Sequence, residues 1–258
     1  MKIAVCVKQV PEGGHKRIDP QTMRLDRKGE AGLNPFDANA IEEALRVREA
    51  VGDAEIVLVS MGPERAMEAL RKGLAMGADR AVLVSDEAAG GSDLLATSAV
   101  LAKALERESA DLILFGQQAS DSDGAVLCAA VAERLRLPLV SQVSQLELDD
   151  GKIDAKRQTE FGYDHIGTPL PAIVAVSDAI NEPRYPSLKG IMGAKSKPQE
   201  SLGASELGLG EADVGDAGSR TEVRALGDPP PRGETLKLED DGSAAQKVVD
   251  VLAERKLI

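Results

Sequence analysis

The residue types on which most metal and acid–base sites depend are scarce in this sequence. Its 258 residues include two histidines, two cysteines and no tryptophan. Histidine is the most frequent general base and a common metal ligand, so neither a metal site nor a histidine-based catalytic triad is expected. Cys6 and Cys128 lie in apolar segments without a CxxC partner, which favours buried, reduced thiols.

Long apolar segments and an excess of positive charge are also missing. No apolar run approaches the roughly 20 residues that span a bilayer. The N-terminal run is interrupted by Lys8 and has no small-residue cleavage site, so it predicts a strand rather than a signal peptide. The 31 basic and 43 acidic residues give a net charge of −12, which repels nucleic acid and anionic lipid. We therefore expect a soluble, cytoplasmic protein with neither nucleic acid nor membrane as a stable partner.

Short apolar runs alternate with helical patterns in the first 150 residues. The runs suit strands buried on both faces of a parallel sheet. They are Ile3–Val7, Ile56–Val59, Ala81–Val84 and Leu112–Phe115. Helix starts are predicted at a capping Asn34 followed by Pro35, at Gly62-Pro63-Glu64, at Ser92-Asp93 and near Asp121, the last helix running to Leu135. This order predicts an α/β fold with a doubly wound, mostly parallel sheet.

The second half of the chain departs from this pattern. Alternating residues from Leu139 to Glu160, with a turn at Asp149-Asp150-Gly151, predict an antiparallel hairpin at the edge of the sheet, and Pro171–Val176 predicts one more buried strand. After Pro198 the chain is polar and rich in Gly and Pro until a terminal helix capped by Ser243. We predict a main domain at 1–198 and an extended C-terminal arm at 199–258 that packs on another chain.

In a parallel sheet, ligands bind where the strands end and helices begin. The most informative such loop begins at Gly116, where glycines allow close approach and free N–H groups at the next helix suit a phosphate. Asp121 and Asp123 would repel a phosphate, so one is expected to cap the helix and the other to accept a hydrogen bond from ribose or adenine. The same residues also fit a well-capped helix after a surface loop, and neither GxGxxG nor GxxxxGK[ST] is present.

The segment at 181–198, NEPRYPSLKGIMGAKSKP, has a positively charged end in an acidic protein. By composition alone it would be a solvated surface. It closely resembles the signature of the electron-transfer flavoprotein β subunit, NEPRY-x-(S/T)L-x-x-IM-x-AK. Three further stretches resemble this family in order and spacing, so the resemblance covers essentially the whole chain. They are VKQVPE at 7–12, NPFDANAIEEALRVRE at 34–49 and MGPERAMEALRKGLAMGADRAVLVSD at 61–86.

The resemblance implies a Rossmann-like domain that buries AMP and pairs with a larger α subunit, which holds most of the redox FAD. It also implies that Leu188 inserts into an apolar pocket of a partner dehydrogenase. The implied partner-binding residues are Arg184, Tyr185, Leu188, Ile191 and Met192. The implied nucleotide-binding residues are Cys6, Asn34, Pro35, Phe36, Asp37, Met61, Gly116, Gln117, Ser120, Asp121, Ser122, Asp123, Gly124, Ala125, Val126 and Leu127.

One departure from the family concerns the nucleotide loop. Val126 stands where the family commonly has glutamine, and Gly124 where it has Thr or Cys, so phosphate contacts would depend more on backbone N–H groups. The resemblance predicts an electron carrier, not an enzyme, that relays electrons from acyl-CoA or similar dehydrogenases to a quinone-linked oxidoreductase. The alternatives are a bifurcating complex in which this chain holds a second FAD and oxidises NADH, and a nucleotide-binding regulator without redox function.

Overall fold

A computed structural model describes residues 1–13, 17–231 and 235–258. The chain forms two compact units, Met1–Glu222 and Val223–Ile258. The division falls after Glu222, whereas composition predicts it after Pro198. Residues 199–222 are therefore part of the main domain.

The described residues contain thirteen strands and seven α-helices. The strands are β1 (Lys2–Cys6), β2 (Gln9–Pro11), β3 (Ile18–Asp19), β4 (Arg24–Leu25), β5 (Ala31–Leu33), β6 (Glu55–Met61), β7 (Arg80–Val84), β8 (Leu112–Gly116), β9 (Leu139–Asp149), β10 (Lys152–Thr159), β11 (Gly162–Pro169), β12 (Ala172–Val176) and β13 (Gln199–Leu202). The helices are α1 (Pro35–Val51), α2 (Met67–Met76), α3 (Leu94–Glu108), α4 (Leu127–Leu135), α5 (Leu188–Ala194), α6 (Gly215–Gly218) and α7 (Ala244–Glu254).

Nine of the strands form one sheet in the order β11-β10-β9-β12-β8-β1-β6-β7-β13. Pairing is parallel from β9 to β13 across the sheet and antiparallel among β9, β10 and β11. Every buried strand predicted from the sequence is present. The order confirms a doubly wound, Rossmann-like α/β fold with an antiparallel edge. From β1 the chain builds outwards through β6 and β7, and it then returns to β8 on the other side of β1.

Two hydrophobic layers cover the two faces of the sheet, because alternate side chains of a strand point to opposite faces. In β1, Ile3 and Val5 pack with α1 and α2, while Ala4 and Cys6 pack with α3 and α4. Gly73 of α2 lets the helix approach closely, since a Cβ there would lie 2.5 Å from Leu58 Cδ1 and 2.8 Å from Ile41 Cδ1. The core thus fixes where α1 begins relative to the ends of β1 and β8.

Two strands of the nine-stranded sheet were not predicted from the sequence. β11 extends the predicted hairpin to three strands, but its residues are mostly exposed and carry no regular apolar alternation. β13 lies in the stretch predicted as an arm, and it pairs in parallel with β7 at the opposite edge. Only Leu202 of its four residues is buried, so backbone pairing rather than apolar burial places this strand.

The unit Val223–Ile258 contains α7 and otherwise lacks regular structure in its described residues. No residue of α7 is buried within the chain. Ser243 precedes the helix, but its side chain makes no capping bond and instead donates to Asp241, so that predicted cap is wrong. None of the described helices is long and apolar enough to cross a membrane.

Candidate functional site

The strand order reverses between β1 and β8, and their carboxyl ends therefore open a crevice between diverging helices. Cys6 ends β1 and Gly116 ends β8, so both predicted site residues lie at this switch point. Met61 ends the neighbouring strand β6. The Ser60 hydroxyl beside it is buried and has no hydrogen-bond partner among the described residues.

The first turn of α1 packs directly against the end of β8. A Cβ on Gly116 would lie 2.5 Å from both Asp37 Oδ1 and the Phe36 carbonyl carbon. Glycine is therefore required here for close packing, rather than only for approach to a ligand. Asp37 Oδ2 accepts a hydrogen bond of 2.7 Å from the backbone N–H of Lys8. The start of α1 therefore contacts both the end of β8 and the residues that follow β1.

Asp37 is fully enclosed, and burial raises its pKa to about 7 against the stabilising N–H groups of Lys8 and Gly116 and the side chain of Asn34. Burial, and then the nearby Asp37, also raise the pKa of the Cys6 thiol, with a smaller effect from Cys128. Cys128 is itself buried, and burial raises its pKa. Both cysteines are free thiols, and neither environment favours the reactive thiolate.

We expect the raised pKa of Asp37 to lower the free energy of unfolding as the pH rises. The folded protein keeps a proton on Asp37 that the unfolded chain releases above its ordinary pKa of 3.8, so rising pH favours unfolding up to about pH 7. The wild type should lose stability relative to Asp37→Asn across this window, by at most about 1.4 kcal/mol per pH unit. Urea unfolding at several pH values measures this difference. Equal pH slopes for the two proteins would contradict it, and Asp53→Asn, at an exposed aspartate, is the control.

Asn34 has a different role from the predicted one. It precedes α1 with Pro35 at the first helical position, as predicted, but its side chain makes no capping hydrogen bond. Asn34 Nδ2 instead donates to the Gln118 carbonyl at 2.9 Å, and Asn34 Oδ1 accepts from the Ser120 N–H at 3.1 Å. The buried amide therefore fastens the nucleotide loop, residues 117–126, to the start of α1.

Asp121 also differs from expectation. Helix α4 begins at Leu127, six residues after Asp121, so the predicted helix start and aspartate cap are wrong. The carboxylate is almost fully buried, with Oδ1 2.7 Å from Lys8 Nζ and Oδ2 2.9 Å from Arg27 Nη2. Burial alone would raise its pKa, but the two cations outweigh burial and hold it below its usual range. Both oxygens are engaged within the chain.

Arg27 is the site residue that sequence reasoning missed. It lies in the excursion between β4 and β5, far along the chain from Asp121, and no local pattern connects the two. The same excursion is held near β6, because Arg65 donates to the carbonyls of Arg27 and Gly29. Lys8 and Arg27 together compensate the charge of Asp121, and the exposed Asp123 adds a second negative charge to the same loop.

The nucleotide loop ends in a group of free backbone donors. Asp123 and Ala125 have φ values of 48° and 51°, in the left-handed region that non-glycine residues rarely adopt. A left-handed residue followed by right-handed Val126 turns successive N–H groups toward one concavity, a geometry that binds anions. Within the described residues, the N–H groups of Gly124 to Leu127 have no protein acceptor. They open onto the N-terminus of α4, whose dipole also favours an anion.

Three further predicted residues of the loop lie in different environments. Gln117 is buried and its Oε1 accepts from the Gln142 N–H at 2.7 Å, so this side chain supports β9. Ser122 Oγ lies 3.3 Å from Lys8 Nζ and 3.2 Å from Asp121 Oδ1, within the ion-pair cluster. Val126 is 53% exposed at the start of α4.

The second candidate surface is α5 in the segment 181–198. Ser187 caps this short helix by accepting from the Gly190 N–H at 3.0 Å. Its apolar side chains face outwards: Leu188 is 82% exposed, Met192 82% and Ile191 54%. Tyr185, just before the helix, is also exposed. We call this apolar group, residues 185, 188, 191 and 192, the docking face.

The backbone of α5 is packed closely although its apolar side chains are not. Gly190 rests on the Ala75 carbonyl of α2, where a Cβ would overlap the oxygen. Lys197 Nζ donates to the carbonyls of Leu74 and Ala78 at 2.9 and 2.5 Å, at the end of α2. Burial lowers the pKa of Lys197. The docking face therefore projects from a fixed helix.

Fold and site together define a Rossmann-like α/β protein with a loop of free backbone N–H groups at its switch point and a helix with exposed apolar side chains. The electron transfer flavoprotein domain family matches residues 22–207. The electron transfer flavoprotein subunit beta of Megasphaera elsdenii is 39% identical over 270 residues, covering all of both chains. The subunit beta of Mycobacterium tuberculosis is 36% identical over 263 residues, covering 99% of each. A third relative, from Acetobacterium woodii and named as subunit CarD of a caffeyl-CoA reductase-Etf complex, is 39% identical over the whole of both chains.

This chain belongs to the electron transfer flavoprotein family, as a β subunit. The sequence resemblance is thereby confirmed. Members of this kind carry electrons and pair with an α subunit.

Proposed function

We propose that this chain holds AMP at the switch point and presents the docking face to flavin dehydrogenases, within a heterodimer that relays their electrons to a quinone-linked oxidoreductase. The observation that carries the relay function is the docking face itself. Large apolar side chains on a rigid support, exposed in the isolated chain, are suited to act as an anchor in a partner's pocket. The relative named as subunit CarD of a caffeyl-CoA reductase-Etf complex supports a partner that acts on a CoA thioester.

The nucleotide proposal rests on the fit of a phosphate to the nucleotide loop. The free N–H groups of Gly124 to Leu127 and the start of α4 favour an anion. The apolar ends of β1 and β6, at Cys6 and Met61, offer a less polar wall. Asp121 does not oppose the phosphate because its charge is neutralised by its two partners.

The redox chemistry itself would be supplied by FAD held mainly by the α subunit. In this chain, the residues around the switch point exclude water, position a nucleotide and shape one wall of the shared site. We assign no general acid or base, because relaying electrons requires only that the cofactor be positioned and enclosed.

A spectroscopic experiment tests the relay. The purified heterodimer is mixed with an acyl-CoA dehydrogenase and its substrate, and flavin absorbance of the heterodimer is followed. We expect bleaching that depends on the dehydrogenase and not on NADH. Bleaching by NADH alone, with two flavins per heterodimer, would favour the bifurcating alternative. A colourless chain that purifies alone and stable would favour a regulator.

We also propose that Val223–Ile258 packs on the α subunit. It carries exposed apolar side chains that a chain in water would otherwise bury, including Leu226, Leu236, Val249 and Ile258. Truncation after Glu222 should weaken heterodimer formation at least about tenfold, since the lost apolar contacts oppose dissociation. Sedimentation of the mixed subunits measures this, with circular dichroism to check that Met1–Glu222 is folded. Lys237→Gln, at an exposed charged residue of the same unit, is the control, and undiminished assembly after the truncation would refute the proposal.

A further inference from the structure

The segment that carries the docking face is attached to α1 by polar contacts that leave Arg184 little freedom. Arg184 Nε donates to Glu42 Oε2 at 2.8 Å and Nη2 to Glu42 Oε1 at 3.1 Å, while the Arg184 backbone N–H lies 3.2 Å from Glu42 Oε2. Arg184 Nη1 donates to Glu49 Oε1 at 2.7 Å. All three guanidinium nitrogens are therefore occupied within the chain.

Glu42 is the buried side of this contact. Its side chain is 5% exposed and also meets Arg46 Nε at 3.2 Å. Burial would raise the pKa of Glu42, but the hydrogen bonds from Arg184, and then from Arg46, hold it below its usual range. The hydrogen bonds that Arg184 donates to Glu42 and Glu49 raise the Arg184 pKa. A buried carboxylate that loses its guanidinium partner is strongly unfavourable, so the pair resists separation.

A second contact between this segment and α1 lies three residues earlier. Asn39 Nδ2 donates to the Asn181 carbonyl at 2.8 Å, and Asn181 Nδ2 donates to the Asn39 carbonyl at 3.0 Å and to Glu43 at 2.9 Å. The segment is thus fixed to α1 before α5 begins and, through Lys197, to α2 after it ends. These contacts hold both ends of a segment whose docking face is otherwise exposed.

We infer that Arg184 is a positioning residue, which acts through Glu42 to hold the docking face in its binding geometry and does not itself contact the dehydrogenase. This inference rests on the proposed docking function. If the Arg184 guanidinium turned to a partner, buried Glu42 would keep only Arg46 as a counter-charge, and the loss of its shorter contact opposes that arrangement. Holding α5 in one place instead lowers the ordering cost of association, which raises affinity without any new contact.

A double-mutant cycle on the full heterodimer distinguishes the two roles. Electron acceptance is measured against dehydrogenase concentration for Arg184→Gln, Glu42→Gln and the double variant. We expect each single change to raise KM about tenfold with kcat unchanged. The double change should add little, because either single change already breaks the Arg184–Glu42 contact. Arg184→Lys should restore KM only in part, since an ammonium lacks the planar fork. Arg107→Gln, which breaks an exposed Arg–Glu pair at 2.6 Å elsewhere in the chain, is the control.

The inference is overturned if Arg184→Gln raises KM while Glu42→Gln does not, because a partner contact would not need Glu42. Additive effects in the double variant would also overturn it. Hydrogen exchange of residues 185–194 gives a second measurement. The exchange should be faster in Glu42→Gln than in the wild type, and an unchanged rate would contradict the positioning role. Leu188→Ala tests the docking function separately. If Leu188→Ala raises KM while Glu42→Gln does not, the docking proposal stands and the positioning role of Arg184 is contradicted.

Discussion

Replacing Leu188 with alanine should raise the KM for the dehydrogenase by about 30-fold, the factor that corresponds to a hot-spot loss of about 2 kcal/mol. The side chain is 82% exposed in the isolated chain, so the protein loses almost no packing of its own. Its supporting helix stays fixed by Gly190 on α2 and by the Ser187 cap. The effect should therefore fall on association alone.

The measurement is electron acceptance at varied dehydrogenase concentration, together with flavin and nucleotide content and the unfolding midpoint. We expect content and midpoint to match the wild type. Leu95→Ala, which truncates a 40% exposed leucine at the start of α3, is the matched control and should leave KM unchanged. A wild-type KM for Leu188→Ala would show that Leu188 does not anchor the dehydrogenase.

Replacing Gly116 with alanine should destabilise the protein by about 2 kcal/mol or more, because the new methyl group overlaps backbone that has little room to move. The nearest atoms are Asp37 Oδ1 and the Phe36 carbonyl carbon, both 2.5 Å from the Cβ position. Relief requires the start of α1 to move away from β8, and Asn34 would carry the nucleotide loop with it. Bound nucleotide should therefore fall as well as stability.

Gly124→Ala is a control within the same loop. Nothing lies within 4 Å of a Cβ at that position, so its stability should stay within about 0.5 kcal/mol of the wild type. Denaturant unfolding and the nucleotide released on denaturation test both variants. An unchanged midpoint for Gly116→Ala would mean that α1 and β8 are not packed as described.

The central sheet was predictable because its strands are buried on both faces and so appear as uninterrupted apolar runs, as in Ile3–Val7. β11 and β13 were not, because their places depend on backbone pairing with β10 and β7 and not on their own apolar residues. The start of α4 was misplaced for a related reason. Asp121 has the side chain of a helix cap, and only long-range contacts with Lys8 and Arg27 show that it belongs to an ion-pair cluster.

The sequence placed candidate residues at strand ends, and Cys6, Met61 and Gly116 do end their strands, but it did not reveal what each residue contacts. Asn34 could be recognised as the residue before a helix, yet its amide turns to a loop more than eighty residues later. Arg184 belongs to a signature associated with partner binding, yet its guanidinium is bound to α1. Motifs of this kind mark a location, whereas the role of a side chain depends on segments that the fold brings together.

The central claim is that this chain holds an adenine nucleotide as one half of an electron-carrying heterodimer. Mass spectrometry of the small molecules released from the purified heterodimer, quantified per heterodimer, tests it most directly. The account predicts one FAD and one AMP, with AMP reduced in Gly116→Ala while FAD is less affected. Two FAD and no AMP would contradict the assignment of the nucleotide loop to AMP, and FAD without any second nucleotide would contradict nucleotide binding by this chain.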